Sequence, residues 1–302
     1  MSERRGSALP LSETRISGTR IRLDIAYDGT AFAGWGRQPA LRTVQGVLEE
    51  TLATIVRRHG EPPRLTVAGR TDAGVHATGQ VAHLDLTAAQ LASLKEDGPA
   101  ALVRRVNGIL GLDSDVVVRG ARVAPEGFDA RFSAVWRRYE YRVADTAAPR
   151  DPLSRAFVVT HPVLLDVDAM AAAASELVGL HDWAAFCRPR EGSTTIRTLQ
   201  EFAWRREPGT GVLVATVRAD AFCHSMVRAL VGASIAVGAA RLGGDDVRAL
   251  RDARERTSAF IVAPAKGLTL VEVGYPPDGE LAARALQTRA MREPVTPRHP
   301  SD

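Results

Sequence analysis

The sequence predicts an α+β protein of two related halves, each an antiparallel sheet with helices packed on one face. Two observations carry this. Short segments that alternate with period two are interleaved with stretches whose apolar residues recur at helical spacing. Their order across residues 21–123 is β-α-β-β-α-β, and a second sheet with two helices follows Pro125. That order is the pattern of ferredoxin-like (equally, RRM-like) folds.

The elements follow in turn. Residues 21–27 alternate as a strand and stop at Asp28-Gly29-Thr30, a turn signal. Thr43 opens a helix to about residue 58, with Val44, Val47, Leu48, Leu52 and Ile55 on one stripe. Two strands then flank Gly69-Arg70-Thr71-Asp72-Ala73-Gly74. The second of them puts Val81, His83 and Asp85 on one face and Ala82, Leu84 and Leu86 on the other. A helix over about 100–110 and a strand over 116–123 complete the half. In the second half, strands are expected at 138–143, 195–204, 212–220 and 268–273, and helices at 167–180 and 223–242.

The boundary falls near residues 124–128, giving domains 20–124 and 125–276 whose sheets face a central cleft, the natural place for a site. Residues 1–19 are polar and aperiodic and read as a flexible arm. Residues 277–302 read as a flexible tail, with a short helix near 280–291.

Composition narrows the class. Apolar residues make up 45% of the 302 and charged residues 25%, as in globular proteins. No apolar run approaches the ~20 residues that cross a bilayer, and the N-terminus lacks the apolar core of a secretory signal. Cys187 and Cys223 are the two cysteines, too few for a disulfide framework or a cysteine zinc cluster. The cytoplasm is the default location.

Lys and Arg exceed Asp and Glu by 39 − 35 = 4, and every cation except Lys95 and Lys266 is an arginine. Arginine suits phosphate forks and stacking on bases. The same bias, with abundant Ala, Gly and Val, is equally the coding habit of a GC-rich genome.

Chemistry concentrates in a few segments. Asp72 and Arg70 sit two residues apart in a glycine-flanked turn between strands, where the backbone can bend sharply and approach a ligand. Read alone, such an aspartate serves its own turn and the arginine is a surface cation. Tyr27-Asp28-Gly29-Thr30-Ala31-Phe32-Ala33-Gly34-Trp35 places aromatics in a glycine-rich loop. Residues 130–141, Ala-Arg-Phe-Ser-Ala-Val-Trp-Arg-Arg-Tyr-Glu-Tyr, interleave cations with rings, a mixture that suits phosphates and unstacked bases. Phe222-Cys223-His224-Ser225-Met226-Val227-Arg228 sets an arginine in the first turns of the long helix, and Ala263-Pro264-Ala265-Lys266-Gly267-Leu268-Thr269-Leu270 feeds the last strand.

With Thr43-Val44-Gln45-Gly46, these segments resemble the tRNA pseudouridine synthase A family over about residues 20–276, in the family's order and spacing. Gly-Arg-Thr-Asp-Ala-Gly-Val-His-Ala and Ala-Arg-Phe-Ser-Ala followed by Arg-Arg-Tyr are the most specific. The resemblance implies a homodimeric enzyme that converts uridine to pseudouridine at positions 38, 39 and 40 of the tRNA anticodon stem-loop, with no cofactor and no metal. It implies Asp72 as the catalytic aspartate and Arg70 as the arginine of the same motif. Tyr139 matches the tyrosine that stacks on the target base, and Arg228 the basic residue that pairs with the aspartate. Rival expectations are a synthase for another RNA site and a non-catalytic RNA-binding relative; the intact Arg70-Thr71-Asp72 argues against the latter.

Outside the resemblance, Tyr139 on an alternating strand reads as core and Arg228 as a helix-end phosphate contact or surface cation. His76 and His83 have no second ligand pair for zinc. Cys223 reads as packing, since no base stands near it in the pattern, and Lys266 as a phosphate contact or solvated turn residue. The chain departs from the family at Gly36, where Gln is usual, and at Thr269, where a larger residue is common.

Overall fold

The computed structural model describes residues 18–189 and 194–290. The expected arm lies outside them apart from residues 18 and 19, and so does the end of the expected tail.

The first half runs β1 (Gly18–Tyr27), α1 (Val44–Val56), β2 (Thr66–Val67), β3 (His76–Thr87), α2 (Ala88–Ala92), α3 (Gly98–Leu110) and β4 (Val116–Val123). The second runs β5 (Trp136–Ala144), β6 (Val159–Thr160), α4 (Val167–Ser175), β7 (Gly179–Asp182), β8 (Ile196–Arg206), β9 (Leu213–Ala219), α5 (Met226–Gly238), α6 (Gly244–Ala253) and β10 (Leu268–Gly274), followed by α7 (Leu281–Ala290). The α+β class stands.

The halves meet edge to edge rather than face to face. One ten-stranded sheet runs β4-β1-β3-β10-β5-β9-β8-β7, with β2 beside β3 and β6 beside β5. β10 leaves its own half to pair parallel with β3, Thr269 opposite His76 and Leu270 opposite Ala77, while pairing antiparallel with β5. An unpaired edge on either half would leave a row of backbone groups unsatisfied, and this seam removes both edges. At the seam Gly79 passes so close to β10 that a Cβ would stand 2.0 Å from the Val271 carbonyl oxygen.

Helix ends differ from expectation for local reasons. Thr43 caps α1 as the sequence foretells, its hydroxyl accepting from the Gly46 N–H at 3.2 Å. The helix expected at 167–180 stops at Ser175, and the chain turns at Gly179 (φ +135°) into the edge strand β7. The helix expected from residue 223 starts at Met226, because Ser225 takes a left-handed conformation (φ +64°) just before it. Strands β6 and β7 are too short, and α6 too polar, to stand out in the pattern.

The alternation read in β3 is correct in direction, yet both its faces are covered. Ala82, Leu84 and Leu86 sit in the core with Ile21 and Leu23. On the other face His83 accepts the Ala130 N–H at 3.0 Å, and Arg20 pairs with Asp85 at 2.7 Å while reaching the Phe128 carbonyl. The segment between β4 and β5 therefore crosses this face. In β5 the alternation is strict: Arg137, Tyr139, Tyr141 and Val143 point inward. Outward-pointing Arg138 and Arg142 pair with Glu272 and Glu207. Among the described residues no helix is long and apolar enough to cross a membrane.

Candidate active site

Two loops build the turn that carries Asp72. Gly34, with φ +93°, lies against it so closely that a Cβ would come within 2.9 Å of the Thr71 carbonyl oxygen, a place for glycine alone. The Trp35 N–H donates to that carbonyl at 3.1 Å, and the Gly74 N–H to Phe32 O at 3.3 Å. Phe32 and Trp35 are themselves buried, so the aromatics of this loop are its anchors. Below, the Tyr27 hydroxyl meets Thr71 Oγ1 at 2.8 Å, and Gln80 Nε2 reaches both Tyr27 Oη (3.2 Å) and Gly69 O (3.0 Å).

His76, which the sequence tempts one to read as a ligand, is a clip. Its Nδ1 accepts the Gly29 N–H at 3.0 Å and its Nε2 donates to Lys266 O at 3.0 Å, tying the turn to the segment before β10. His83 is equally engaged, and burial, with Arg20 nearby, pushes it down to about 4. Lys266 reaches only Arg155 O, at 3.4 Å.

The start of α5 faces this turn. Arg228 Nη1 stands 3.8 Å from Asp72 Oδ2, while its Nε donates to Ala263 O at 2.7 Å and so fixes the guanidinium. His224 Nε2 stands 3.6 Å from Asp72 Oδ1. Had α5 begun at residue 223, His224 would lie inside a helical turn. The left-handed Ser225 frees it to face the carboxylate. A cavity of about 610 Å³ opens here, lined by Asp72, Arg188, His224, Arg228 and Arg256 among others, a volume within the ~300–1,000 Å³ of ligand pockets. Among the described residues, Asp72 is the cavity's one carboxylate against three guanidiniums.

Tyr139 belongs to the same neighbourhood. It is buried, its ring set edge-on to Phe222 with centroids 5.2 Å apart. Burial pushes its phenol well above the usual range, and the Asp72 charge adds to that. The hydroxyl therefore stays protonated.

Of the residues singled out from sequence, the structure brings together Asp72, Arg228 and Tyr139. Arg70 is exposed and forms no ion pair with Asp72; its side chain lies along Gly36, 3.5 Å from where a Cβ there would stand. The side chain missing at Gly36 thus leaves the floor on which Arg70 rests. His224, Arg188 and Arg256 were not legible as site residues. The one signal was the spacing of His224 four residues before Arg228, which the break at Ser225 disguises. Cys223 is also corrected: it forms a disulfide with Cys187, with Cα atoms 5.7 Å apart. The turn before α5 carries it across to the segment after β7, a meeting that no sequence spacing foretells.

Comparison with known proteins gives the chain's relatives. Residues 173–276 match the family described as tRNA pseudouridine synthase. The tRNA pseudouridine synthase A of Leifsonia xyli subsp. xyli is 64% identical over 282 residues, covering 91% of this chain and 98% of that protein. The protein of the same name from Frankia casuarinae is 56% identical over 279 residues (92% and 97%), and that from Mycobacterium leprae 48% over 281 residues (90% and 95%).

Proposed function

Since the chain belongs to the tRNA pseudouridine synthase A family, an isomerase family acting on tRNA uridine, we propose that it modifies the anticodon stem-loop at positions 38, 39 and 40, with Asp72 as the catalytic aspartate. The observation that carries this reading is Asp72 itself: among the described residues, the single carboxylate in a cavity lined by arginines, flanked by Arg228 and His224 and near enough to the buried Tyr139 for its charge to act on that phenol.

The reaction breaks the N1–C1′ bond of uridine, turns the uracil, and joins C5 to the same C1′. The C5 proton leaves and N1 gains one, so atoms balance without a redox step. An ionised carboxylate beside the ribose serves this chemistry by attacking C1′, by adding to C6, or by removing a sugar proton. Arg228 Nη1 at 3.8 Å and His224 Nε2 at 3.6 Å flank the two carboxylate oxygens of Asp72.

A stacked uridine cannot reach Asp72, so the base is extruded into the cavity. In this reading Tyr139, its ring set edge-on to Phe222, replaces the lost stacking. Arg188 and Arg256 line the cavity with no carboxylate partner among the described residues, which leaves them to the phosphates flanking that nucleotide.

Release of tritium from C5-labelled uridine in tRNA tests the reading. Wild-type protein releases tritium from positions 38–40 and Asp72→Ala does not. No release by wild type sinks the catalytic reading. Release from other positions moves the target. Normal release by Asp72→Ala removes that residue from the mechanism.

A further inference from the structure

We propose that Arg137 is the positioning residue of this site, a buried guanidinium that fixes the turn carrying Asp72 relative to the segment carrying His224 and Arg228.

Arg137 lies on the inward face of β5, two residues from Tyr139, and is 8% exposed. Its Nη1 donates to Asp220 O at 2.8 Å, and its Nη2 donates to Ala68 O at 2.8 Å and to Arg131 O at 3.1 Å. No carboxylate oxygen lies within ion-pair distance among the described residues. A buried charge without a counter-ion is costly unless hydrogen bonds compensate it, and burial indeed lowers this guanidinium's pKa. An apolar residue on this inward face would carry no such cost. What it could not do is satisfy three carbonyls from three separate segments.

Two of those carbonyls lie just beyond ordered strands, where the chain departs toward the site. Ala68 follows β2 and precedes Asp72 by four residues. Asp220 follows β9 and precedes His224 by four and Arg228 by eight. Arg131 belongs to the segment that crosses the His83 face. The two sides of the Asp72 contacts therefore diverge from carbonyls held by one rigid plane. A guanidinium presents its donors in a fixed fork, whereas a lysine ammonium is a point charge on a flexible stem. The planar group sets the separation between Asp72 and the His224–Arg228 pair, and displacing a reacting group by ~1 Å costs about 100-fold in rate.

The inference rests on Asp72 being the reacting group, and the test separates the two. Tritium release from C5-labelled tRNA is measured for wild type, Asp72→Ala, Arg137→Lys and Arg137→Ala, the last with and without ethylguanidinium. The expected result is a kcat for Arg137→Lys lower on the order of 100-fold, with KM for tRNA within about threefold. Ethylguanidinium restores Arg137→Ala in a saturable manner, a response that loss of folding would not give. Wild-type kcat in Arg137→Lys overturns the proposal. So does a loss confined to KM, or an Arg137→Ala protein that ethylguanidinium leaves unchanged. If Asp72→Ala proves active, the reading of Asp72 fails; if it is inert while Arg137→Lys is unimpaired, the positioning role alone fails.

Discussion

The Tyr27 hydroxyl and Thr71 Oγ1 share a hydrogen bond of 2.8 Å, one residue before Asp72 and with both groups buried. Gln80 Nε2 donates to the same Tyr27 oxygen at 3.2 Å. Burial pushes the phenol up to about 12, so the bond persists at any working pH. Tyr27→Phe removes this partner and leaves the Thr71 hydroxyl buried without it. The expected cost is about 1–2 kcal/mol of stability by denaturant unfolding, together with a fall in kcat for tritium release, because the turn is freed at its base. Unchanged kcat would show that the turn is held by the Gly34–Trp35 loop alone.

Tyr139 contributes a ring and a hydroxyl, and two variants separate them. Tyr139→Phe keeps the edge-on contact with Phe222 and retains tRNA affinity. Tyr139→Leu loses a stacking surface worth ~1–3 kcal/mol, a weakening that filter binding would detect. Equal affinity in both variants would place the extruded base elsewhere.

The cavity surplus of cations predicts a steep dependence of tRNA binding on salt. Arg188→Gln and Arg256→Gln should each reduce the slope of log K against log salt by about 0.7–0.9, the value of one phosphate contact. Both residues line the cavity from exposed positions, so stability should be unaffected. A slope identical to wild type in both would remove them from the RNA contact.

Gly79→Ala tests the seam between the halves. A Cβ there meets the Val271 backbone at 2.0 Å, and backbone cannot swing aside as a side chain can. Overpacking of this kind costs about 3 kcal/mol or more, read as a lowered unfolding midpoint. Wild-type stability in this variant would mean that β3 and β10 separate without penalty.

His83 predicts how stability depends on pH. Its folded value is near 4, against 6.5 when unperturbed. Between those values the unfolded chain holds a proton that the folded chain does not. Stability is therefore fully present above about pH 6.5 and is lost as pH falls toward 4, by at most roughly 3 kcal/mol. His83→Gln, which keeps an acceptor for Ala130 N–H but does not titrate, should flatten this part of the profile. An unchanged profile would assign the acid sensitivity to other groups.

The sequence by itself determined the α+β class and most strands and helices, and it singled out Asp72, Tyr139 and Arg228, which the fold brings near one another. Periodicity and caps are local, and the Arg70-Thr71-Asp72 turn is written in consecutive residues. The tertiary structure decided how those pieces meet. Pairing of β10 with β3 merges two sheets into one, a choice made between strands that lie about 190 residues apart in the chain. The left-handed Ser225 releases His224 toward Asp72, and Arg70, two residues from the aspartate in sequence, turns away along Gly36. Arg137 reads in sequence as one more cation in a basic stretch; only burial and three converging carbonyls set it apart. A charge pair or a hydrogen bond depends on separations of a few ångströms between distant segments, and spacing along a chain does not encode them.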